Sequence, residues 1–334
     1  MKDYTNMEAS RYWEPKRELG VQEDILNHPE KYSEYIGSYK KDGEWSKVII
    51  ENSNVIIQSR SISKKTGKYN EKQDSLPHLV EEFKKLPNNT VLLGEICFDE
   101  LYLRSKDVGS ILRSLTPLAL EKQKEEKNKL HFYCFDVLCW NNQELDQKGF
   151  AERISYLHKV KAILGNSKYI RFVEIKTVDQ IVNEYQDYLD KGGEGFVLQK
   201  KTAIYRPGKR TAWESIKLKK CTDEIELKVV DIIEPEREYT GKELDTWEFF
   251  DKDGTPVTKY YYKGWKAGVV VDFNGVEVRA ASGITDDDAQ WLATKEAQEA
   301  VNNGQLYAKI EAMEIEPESG SMRHPRIKEI RLDH

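Results

Sequence analysis

The sequence predicts an α+β protein of two domains, and a change of pattern along its 334 residues indicates where they meet. The first two-thirds alternates short, β-rich apolar runs with charged segments of helical spacing. After Cys221 strand-like runs dominate, and one helical segment interrupts them. Several strands with one helix in about a hundred residues fit a small β-barrel of the OB type. We therefore expect one domain over 1–221 and a barrel domain over 222–334.

The elements of the first domain follow from spacing and turn residues. Val48–Ile50 and Val55–Ile57 predict a hairpin around Asn52-Ser53-Asn54. Leu76–Leu86 and Val178–Leu189 have the apolar spacing of helices. The remaining strand-like runs are Val91–Leu93, Phe132–Leu138 and Gly195–Leu198.

The second domain is predicted to be mostly strands. Its helical segment covers Asp286–Asn302, with Thr285 as the residue that caps its start. The predicted strands are Ile225–Ile233, Val257–Lys263, Ala267–Phe273, Val276–Ala280 and Leu306–Glu316.

Composition excludes little about function. The formal net charge is -6, but 52 Lys and Arg can still gather on one face, so nucleic acid is not excluded as a partner. The four cysteines lack zinc spacing, and three lie in or beside apolar runs, which favours buried, reduced thiols. The start of the chain is polar, and no apolar run has membrane length. We expect a monomeric cytoplasmic protein that does not bind membranes.

The tetrapeptide Lys40-Lys41-Asp42-Gly43 could carry covalent chemistry. A lysine is a nucleophile only when neutral, which requires burial or a neighbouring cation to lower its pKa. Gly43 would permit a tight turn and close approach of the backbone to a phosphate. Taken alone, however, the tetrapeptide is better read as a charged surface turn.

An ordered series of short motifs changes that interpretation. With Lys40 at its head, the series resembles the covalent nucleotidyltransferases, which comprise DNA ligases, RNA ligases and mRNA capping enzymes, and the resemblance extends over nearly the whole chain. The motifs are Ser59-Arg60, Gly94-Glu95, Phe135-Asp136, Glu194-Gly195-Phe196-Val197 and Ser215-Ile216-Lys217-Leu218-Lys219.

The resemblance implies a nucleotidyltransferase (adenylation) domain of antiparallel sheets and helices in which Lys40 takes AMP from ATP. Lys217 and Lys219 alternate on a predicted strand, so both face the same side, with Leu218 behind them. By resemblance that side meets the phosphates. Without the resemblance, the two lysines would be taken as protection of an edge strand.

Other roles follow from the same resemblance. Glu95 and Glu194, expected at strand ends, would bind Mg²⁺ or the ribose, and carboxylate oxygens suit that ion. Phe135 would stack on adenine, although its apolar surroundings alone would make it a core residue. Arg60, expected where a strand closes, would contact the nucleotide and the phosphate of a DNA nick.

The second half favours DNA ligase within the superfamily. Tyr205–Arg210 and Ser282–Asp286 resemble DNA ligase stretches, and the end of the chain resembles the ligase tail. The resemblance implies an OB domain, a nicked duplex as partner, Arg210 as a DNA contact and Arg331 as a pyrophosphate contact. An RNA ligase or a capping guanylyltransferase remains the enzymatic alternative. An OB-fold nucleic-acid binding protein with a degenerate first domain is the non-enzymatic one.

Four positions depart from the pattern of the family. Trp45 stands where an arginine is frequent, with Lys47 as a candidate substitute, and Ser38 stands where DNA ligases often carry a glutamate for adenine. Gln199 replaces a lysine, and His334 replaces the last lysine of the tail. A histidine titrates near ~6.5 when unperturbed, so it would lose charge where lysine keeps it.

The segment Glu236–Trp265 is longer than a barrel turn requires. It interleaves basic residues with tyrosines and tryptophans, which suits nucleic acid. We predict that it helps to hold the DNA duplex. A surface hairpin with some core aromatics is the alternative.

Overall fold

Mainly antiparallel sheets with helices packed against them form the protein, as seen in a computed structural model. The structure describes residues 2–15, 19–63, 66–99, 105–219, 224–241, 244–312, 314–316 and 321–332. The chain divides into two units, Met1–Lys219 and Lys220–His334. Cys221, the expected boundary residue, lies outside the described residues. The predicted α+β class is confirmed.

The first unit contains two sheets. The larger has the order β4-β3-β2-β5-β6-β7, with β8 parallel to β6, and the smaller has the order β11-β10-β1-β9. Its strands are β1 Tyr35–Tyr39, β2 Glu44–Glu51, β3 Asn54–Ile62, β4 Tyr69–Glu71, β5 Thr90–Cys97, β6 His131–Trp140, β7 Gln143–Glu144, β8 Ile170–Phe172, β9 Lys176–Thr177, β10 Gly195–Lys200 and β11 Ser215–Lys219.

Helices cover one face of each of these sheets. The helices are α1 Val21–Asn27, α2 Pro77–Phe83, α3 Ser105–Leu112, α4 Thr116–Lys122, α5 Phe150–Ser155, α6 Leu157–Leu164 and α7 Val178–Asp190, with 3₁₀ turns at Pro29–Tyr32, Gln73–Ser75 and Glu126–Asn128. Residues of α2 and α6 join the core of the larger sheet, and residues of α1 and α7 join that of the smaller sheet. The opposite face of the larger sheet carries a second buried cluster, to which Tyr4 and Met7 of the N-terminal segment contribute.

Two of the predicted elements of this unit show why the sequence forms them. Asn52 and Ser53 connect β2 to β3 with φ of 50° and 64°, the left-handed pair that a two-residue hairpin needs. Helix α7 begins with a capping box, in which Thr177 accepts from the Gln180 N–H and the Gln180 side chain accepts from the Thr177 N–H. Both predictions are confirmed, and the predicted helix Leu76–Leu86 is found as the shorter α2.

The second unit is built on a five-stranded sheet of order β14-β13-β12-β15-β18, beside the pair β16-β17. Its core is apolar and includes small residues of α10. The elements are β12 Glu224–Ile233, α8 Lys259–Lys263, β13 Gly268–Phe273, β14 Val276–Ala280, α9 Asp286–Trp291, α10 Lys295–Asn302, β15 Leu306–Glu311, β16 Glu314–Glu316, β17 Ser321–Arg323 and β18 Arg326–Leu332, with a 3₁₀ turn at Leu244–Thr246.

The expected barrel is not closed by a strand ladder within the described part of this unit. A single bridge joins Ser282, just after β14, to Arg326 at the start of β18, and the Ile327 N–H donates to the Ser282 carbonyl at 2.8 Å. The two edge strands therefore meet at one point rather than along a ladder.

Three predicted segments of this unit need correction. Val257–Lys263 is not a strand, because Thr258 caps a short helix, α8, which ends at Gly264 in the left-handed region with φ of 68°. The predicted helix over Asp286–Asn302 is two helices, since Thr294 accepts from the Ala297 N–H and starts α10 anew. Thr285 caps α9 as predicted. The predicted strand over Leu306–Glu316 is divided into β15 and β16.

The described cysteines, Cys97, Cys134 and Cys139, are free and buried, as the sequence predicts. Among the described residues, no helix is long and apolar enough to cross a membrane.

Candidate active site

Lys40 lies where the chain leaves the smaller sheet, directly after β1. Its backbone N–H donates to the Gly195 carbonyl oxygen at 2.8 Å, which places it beside the start of β10. Its ammonium forms an ion pair with Glu194, and these side chains are only 21% and 11% exposed. Lys40 is thus held next to a carboxylate in a shielded position, unlike a residue of a solvated surface turn. A lysine nucleophile must lose a proton, and Glu194 is the adjacent acceptor.

The face of the smaller sheet opposite α7 carries three rows of residues that run across its strands. Buried residues of β1, β10 and β11 face α7, and the residues between them face the other way. The first row holds Lys40, Gly195 and Lys219, the second Ser38, Val197 and Lys217, and the third Ile36, Gln199 and Ser215. The predicted alternation of the two lysines around a buried Leu218 is observed.

The lysines of these rows form one cationic group. Burial lowers the pKa of Lys217, and the nearby charges of Lys219 and Lys40 lower it further. The Lys219 ammonium lies 3.3 Å from a carboxylate oxygen of Glu14, an exposed residue of the N-terminal segment. Three ammonium groups on one face provide the charge that a polyphosphate requires.

Glu95 comes from the larger sheet and belongs to the same site. It lies within β5, two residues before its end, rather than at the end as expected. Burial raises its pKa to about 8, and the carboxylates of Glu194, Asp42 and Glu44 add to the increase while Lys40 opposes it. A carboxyl group crowded by other carboxylates ionises readily only when a cation joins them.

A shift in the register between β5 and β6 of the larger sheet sets the position of Phe135. The register of β5 and β6 shifts so that Leu93 pairs with Asp136 and Gly94 with Cys134, which leaves Phe135 between the two pairs. Such bulges redirect a side chain and are frequent beside functional sites. Phe135 is half-buried, on the face that carries Leu93 rather than in the helix-covered core.

Asp136, the residue after Phe135, forms a buried ion pair that the sequence did not predict. The Arg153 guanidinium donates to both carboxylate oxygens of Asp136 at 2.9–3.2 Å, and to the carbonyls of Lys148 at 2.7 Å and Ala203 at 2.9 Å. Arg153 is 1% exposed. An arginine inside the apolar pattern of Phe150–Leu157 was the only signal for it.

The N-terminal segment also reaches the site, which the sequence did not indicate. Tyr12 is half-buried, and its hydroxyl accepts a hydrogen bond of 3.3 Å from the Gln199 amide. Glu14, two residues later, contacts Lys219. The aromatic pair Tyr12-Trp13 within an otherwise polar start was the available signal.

Trp45 and Lys47, which lie near the position of the arginine that is frequent in the family, both have structural contacts. Trp45 pairs in register with Glu95, is half-buried and packs, like Phe135, against the cluster that contains Leu93. Lys47 is 1% exposed, and its ammonium donates to the carbonyls of Tyr4 and, at 2.9 Å, Met7. Lys47 therefore anchors the N-terminal segment, and the idea that it substitutes for the missing arginine is wrong.

The predicted arginines belong to none of the three rows described above. Arg60 is exposed inside β3, which continues to Ile62 rather than closing at Arg60 as expected. Arg210 is exposed, and its backbone bridges that of Arg11. Arg331 belongs to the second unit, on β18, where it forms an ion pair with Glu226. His334 lies outside the described residues.

Lys40, Lys217 and Glu194 on the smaller sheet and Glu95 on the larger sheet thus bring cations and carboxylates together. Residues 21–219 match the family model described as the ATP dependent DNA ligase domain. The chain belongs to this family, whose reaction uses ATP.

Curated relatives of similar sequence are named DNA ligases. A DNA ligase of Methanococcus maripaludis is 26% identical over 326 residues, covering 88% of this chain and 52% of the relative. DNA ligase 1 of Saccharomyces cerevisiae is 27% identical over 197 residues, covering 56% and 25%. The chain thus spans at most about half of these curated relatives.

Among solved structures, one titled "DNA binding with a minimal scaffold: Structure-function analysis of Lig E DNA ligases" aligns with a TM-score of 0.62. It covers 97% of this chain and 99% of its own at 17% identity, which shows a shared fold.

Proposed function

We propose that this protein is an ATP-dependent DNA ligase that seals nicks in duplex DNA through a Lys40-AMP intermediate. The observation that carries the proposal is the placement of Lys40, held against Glu194, in one row with Lys219 and next to Lys217. Residues 1–221 would be the adenylation domain and residues 222–334 the OB-fold domain.

In the first step, the neutral amine of Lys40 attacks the α-phosphorus of ATP. The Nζ–P bond forms as the bond from that phosphorus to the pyrophosphate oxygen breaks, and the proton of Lys40 has Glu194 as its nearest acceptor. Lys217 and Lys219 neutralise charge on the α-phosphate and on the leaving pyrophosphate. Phe135 stacks on the adenine.

Mg²⁺ would be held by Glu95 and Glu194 together with phosphate oxygens. Magnesium commonly takes one or two carboxylates and keeps waters and substrate phosphates as its other ligands. The raised pKa of the Glu95 carboxyl, which other carboxylates crowd, supports this assignment. When bound, the ion supplies positive charge that neutralises the developing negative charge on the phosphates.

In the later steps, AMP passes from Lys40 to the 5′-phosphate of the nick, and the 3′-hydroxyl then attacks that phosphate and releases AMP. Arg60 and Arg210 are exposed and suited to DNA phosphates. Arg331 would contact pyrophosphate during the first step only.

Substitution of the nucleophile tests this proposal. Lys40→Ala should form no adduct with labelled ATP, while it still seals a nick that is already adenylated. Lys191→Ala is the control, because among the described residues its ammonium pairs with the exposed Asp187, at 2.6 Å. Labelled GTP distinguishes a capping enzyme, and nicked RNA distinguishes an RNA ligase. An adduct on Lys41 in the Lys40→Ala variant would contradict the assignment.

A further inference from the structure

The N-terminal segment around Trp13 forms an additional parallel edge of the smaller sheet. The Trp13 N–H donates to the Ser215 carbonyl at 2.7 Å, and the Trp13 carbonyl accepts from the Lys217 N–H at 2.8 Å. Trp13 packs on the apolar core beneath the sheet. Because side chains alternate along an extended segment, Tyr12 and Glu14 lie on the opposite face, which is the face of the three rows. The contact between Glu14 and Lys219 agrees with this arrangement.

The hydroxyl of Tyr12 lies between the two sheets. It accepts from Gln199 of the smaller sheet at 3.3 Å. Burial raises the pKa of Tyr12 well above its usual range, and the carboxylates of Asp136 and Glu95, both on the larger sheet, raise it further. The phenol is therefore near the residues that flank Phe135 as well as those of the third row.

The rows set the position of a bound nucleotide. Alternate residues of a strand are about 7 Å apart, so the third row lies about 14 Å from the row of Lys40. With the α-phosphate at Lys40, the ribose separates it from the purine, which then lies over the second row with one edge toward Gln199. Ser38 of that row is 8% exposed. Its side chain is too short to reach as far as a glutamate would.

We propose that Tyr12 and Gln199 recognise the polar edge of the adenine and so select ATP among purine nucleotides. This inference rests on the proposed function, because it requires ATP to react at Lys40. The bond to Tyr12 uses one N–H of the Gln199 amide, which leaves the other N–H and the carbonyl oxygen for the ligand. Adenine offers the matching pair, an amino donor at N6 beside a ring-nitrogen acceptor. Hypoxanthine carries an oxygen in place of the amino group and mismatches it.

The preference of the enzyme for ATP over inosine triphosphate tests the proposed role of Tyr12 and Gln199. Single-turnover adenylation would be measured with both nucleotides for the wild type, Tyr12→Phe and Gln199→Met. The wild type should prefer ATP, and each variant should lose about 3- to 10-fold of that preference, as expected for one hydrogen bond. The maximal rate with ATP should change less than about twofold, so the loss appears in KM.

Tyr156→Phe is the matched control. Tyr156 also bonds to a glutamine side chain, donating to the amide oxygen (Oε1) of Gln143 at 2.8 Å, but on the exposed surface. Its ATP preference should equal that of the wild type.

The possible outcomes distinguish a failure of the proposed function from a failure of the inference about Tyr12 and Gln199. Absence of any AMP adduct on the wild type would refute the proposed function itself. A wild type that forms the adduct equally well from both nucleotides would overturn the inference. So would variants that keep the wild-type preference, even if their thermal stability falls, because that result assigns Tyr12 a structural role only. If one variant does not fold, the preference of the other decides.

Discussion

Replacing Arg153 with methionine should destabilise the first unit and slow self-adenylation. The change leaves the Asp136 carboxylate buried without its cation and removes the donor to the carbonyls of Lys148 and Ala203. Breaking a buried ion pair from one side costs about 3–5 kcal/mol, because the remaining charge is left uncompensated. For a unit of this size each kcal/mol corresponds to about 2–4 °C. The unfolding temperature should therefore fall by about 6–20 °C.

Thermal and urea unfolding of the variant, compared with the wild type, measure this loss. Arg171→Met is the control, since Arg171 forms a partly exposed pair with Asp99 at 3.0 Å that should contribute no more than about 1 kcal/mol. The double variant Asp136→Asn/Arg153→Met should be more stable than Arg153→Met, because its buried groups are neutral. A cost below about 1 kcal/mol for Arg153→Met, or a double variant that is less stable still, would refute the reasoning.

Further predictions concern the nucleotide, the metal and DNA. The pKa of Glu95 is raised to about 8, so the affinity for Mg²⁺ should increase with pH up to that value, by at most about tenfold per pH unit. In Mg²⁺ titrations at different pH, Glu95→Gln should remove this dependence. Lys217→Met should slow adenylation by at least about tenfold in a single-turnover assay. Its unfolding temperature should be unchanged or slightly higher, because partial burial disfavours the Lys217 ammonium. Shortening Glu236–Trp265 should weaken nick binding and flatten its salt dependence, with adenylation intact; unchanged DNA affinity would leave that segment a structural role. Arg331→Ala should slow only the first step, and equal rates of sealing from a pre-adenylated nick would agree with that.

The ring contacts within Glu236–Trp265 indicate which of its aromatic residues are available to contact DNA. Tyr239 stacks on Trp247 at 3.6 Å between ring centres, so these two rings are paired with each other. Phe250 is 43% exposed, and Tyr261 and Tyr262 on α8 are 40% and 55% exposed, so these rings are available to a ligand. Tyr262→Ala is therefore a milder alternative to shortening the segment.

The sequence predicted the elements whose cause is local. The alternation of Lys217 and Lys219 follows from the period of a strand, and the hairpin at Asn52 follows from two residues that tolerate the left-handed region. The run of tyrosines after Val257 favours a strand by propensity, yet the cap at Thr258 and the left-handed Gly264 make it a helix. Such a short element is decided by its ends rather than by its interior residues.

Contacts between distant parts of the chain could not be predicted from a single sequence. Arg153 lies 17 positions from Asp136, and Tyr12 lies 187 positions from Gln199. No periodicity links such pairs, since their meeting depends on how the sheets are arranged. Lys47 shows the same limit: its charge suggested a ligand contact, while the fold directs its ammonium to backbone carbonyls.

The intact mass of the purified protein tests the central claim most directly. After incubation with ATP and Mg²⁺, the mass should increase by one AMP, and peptide mapping should place the adduct on Lys40. Addition of nicked duplex DNA should return the mass to its original value, whereas intact duplex should leave the adduct in place. No adduct, an adduct on another lysine, or an adduct that nicked DNA does not remove would contradict the assignment of this chain as a nick-sealing ligase acting through Lys40.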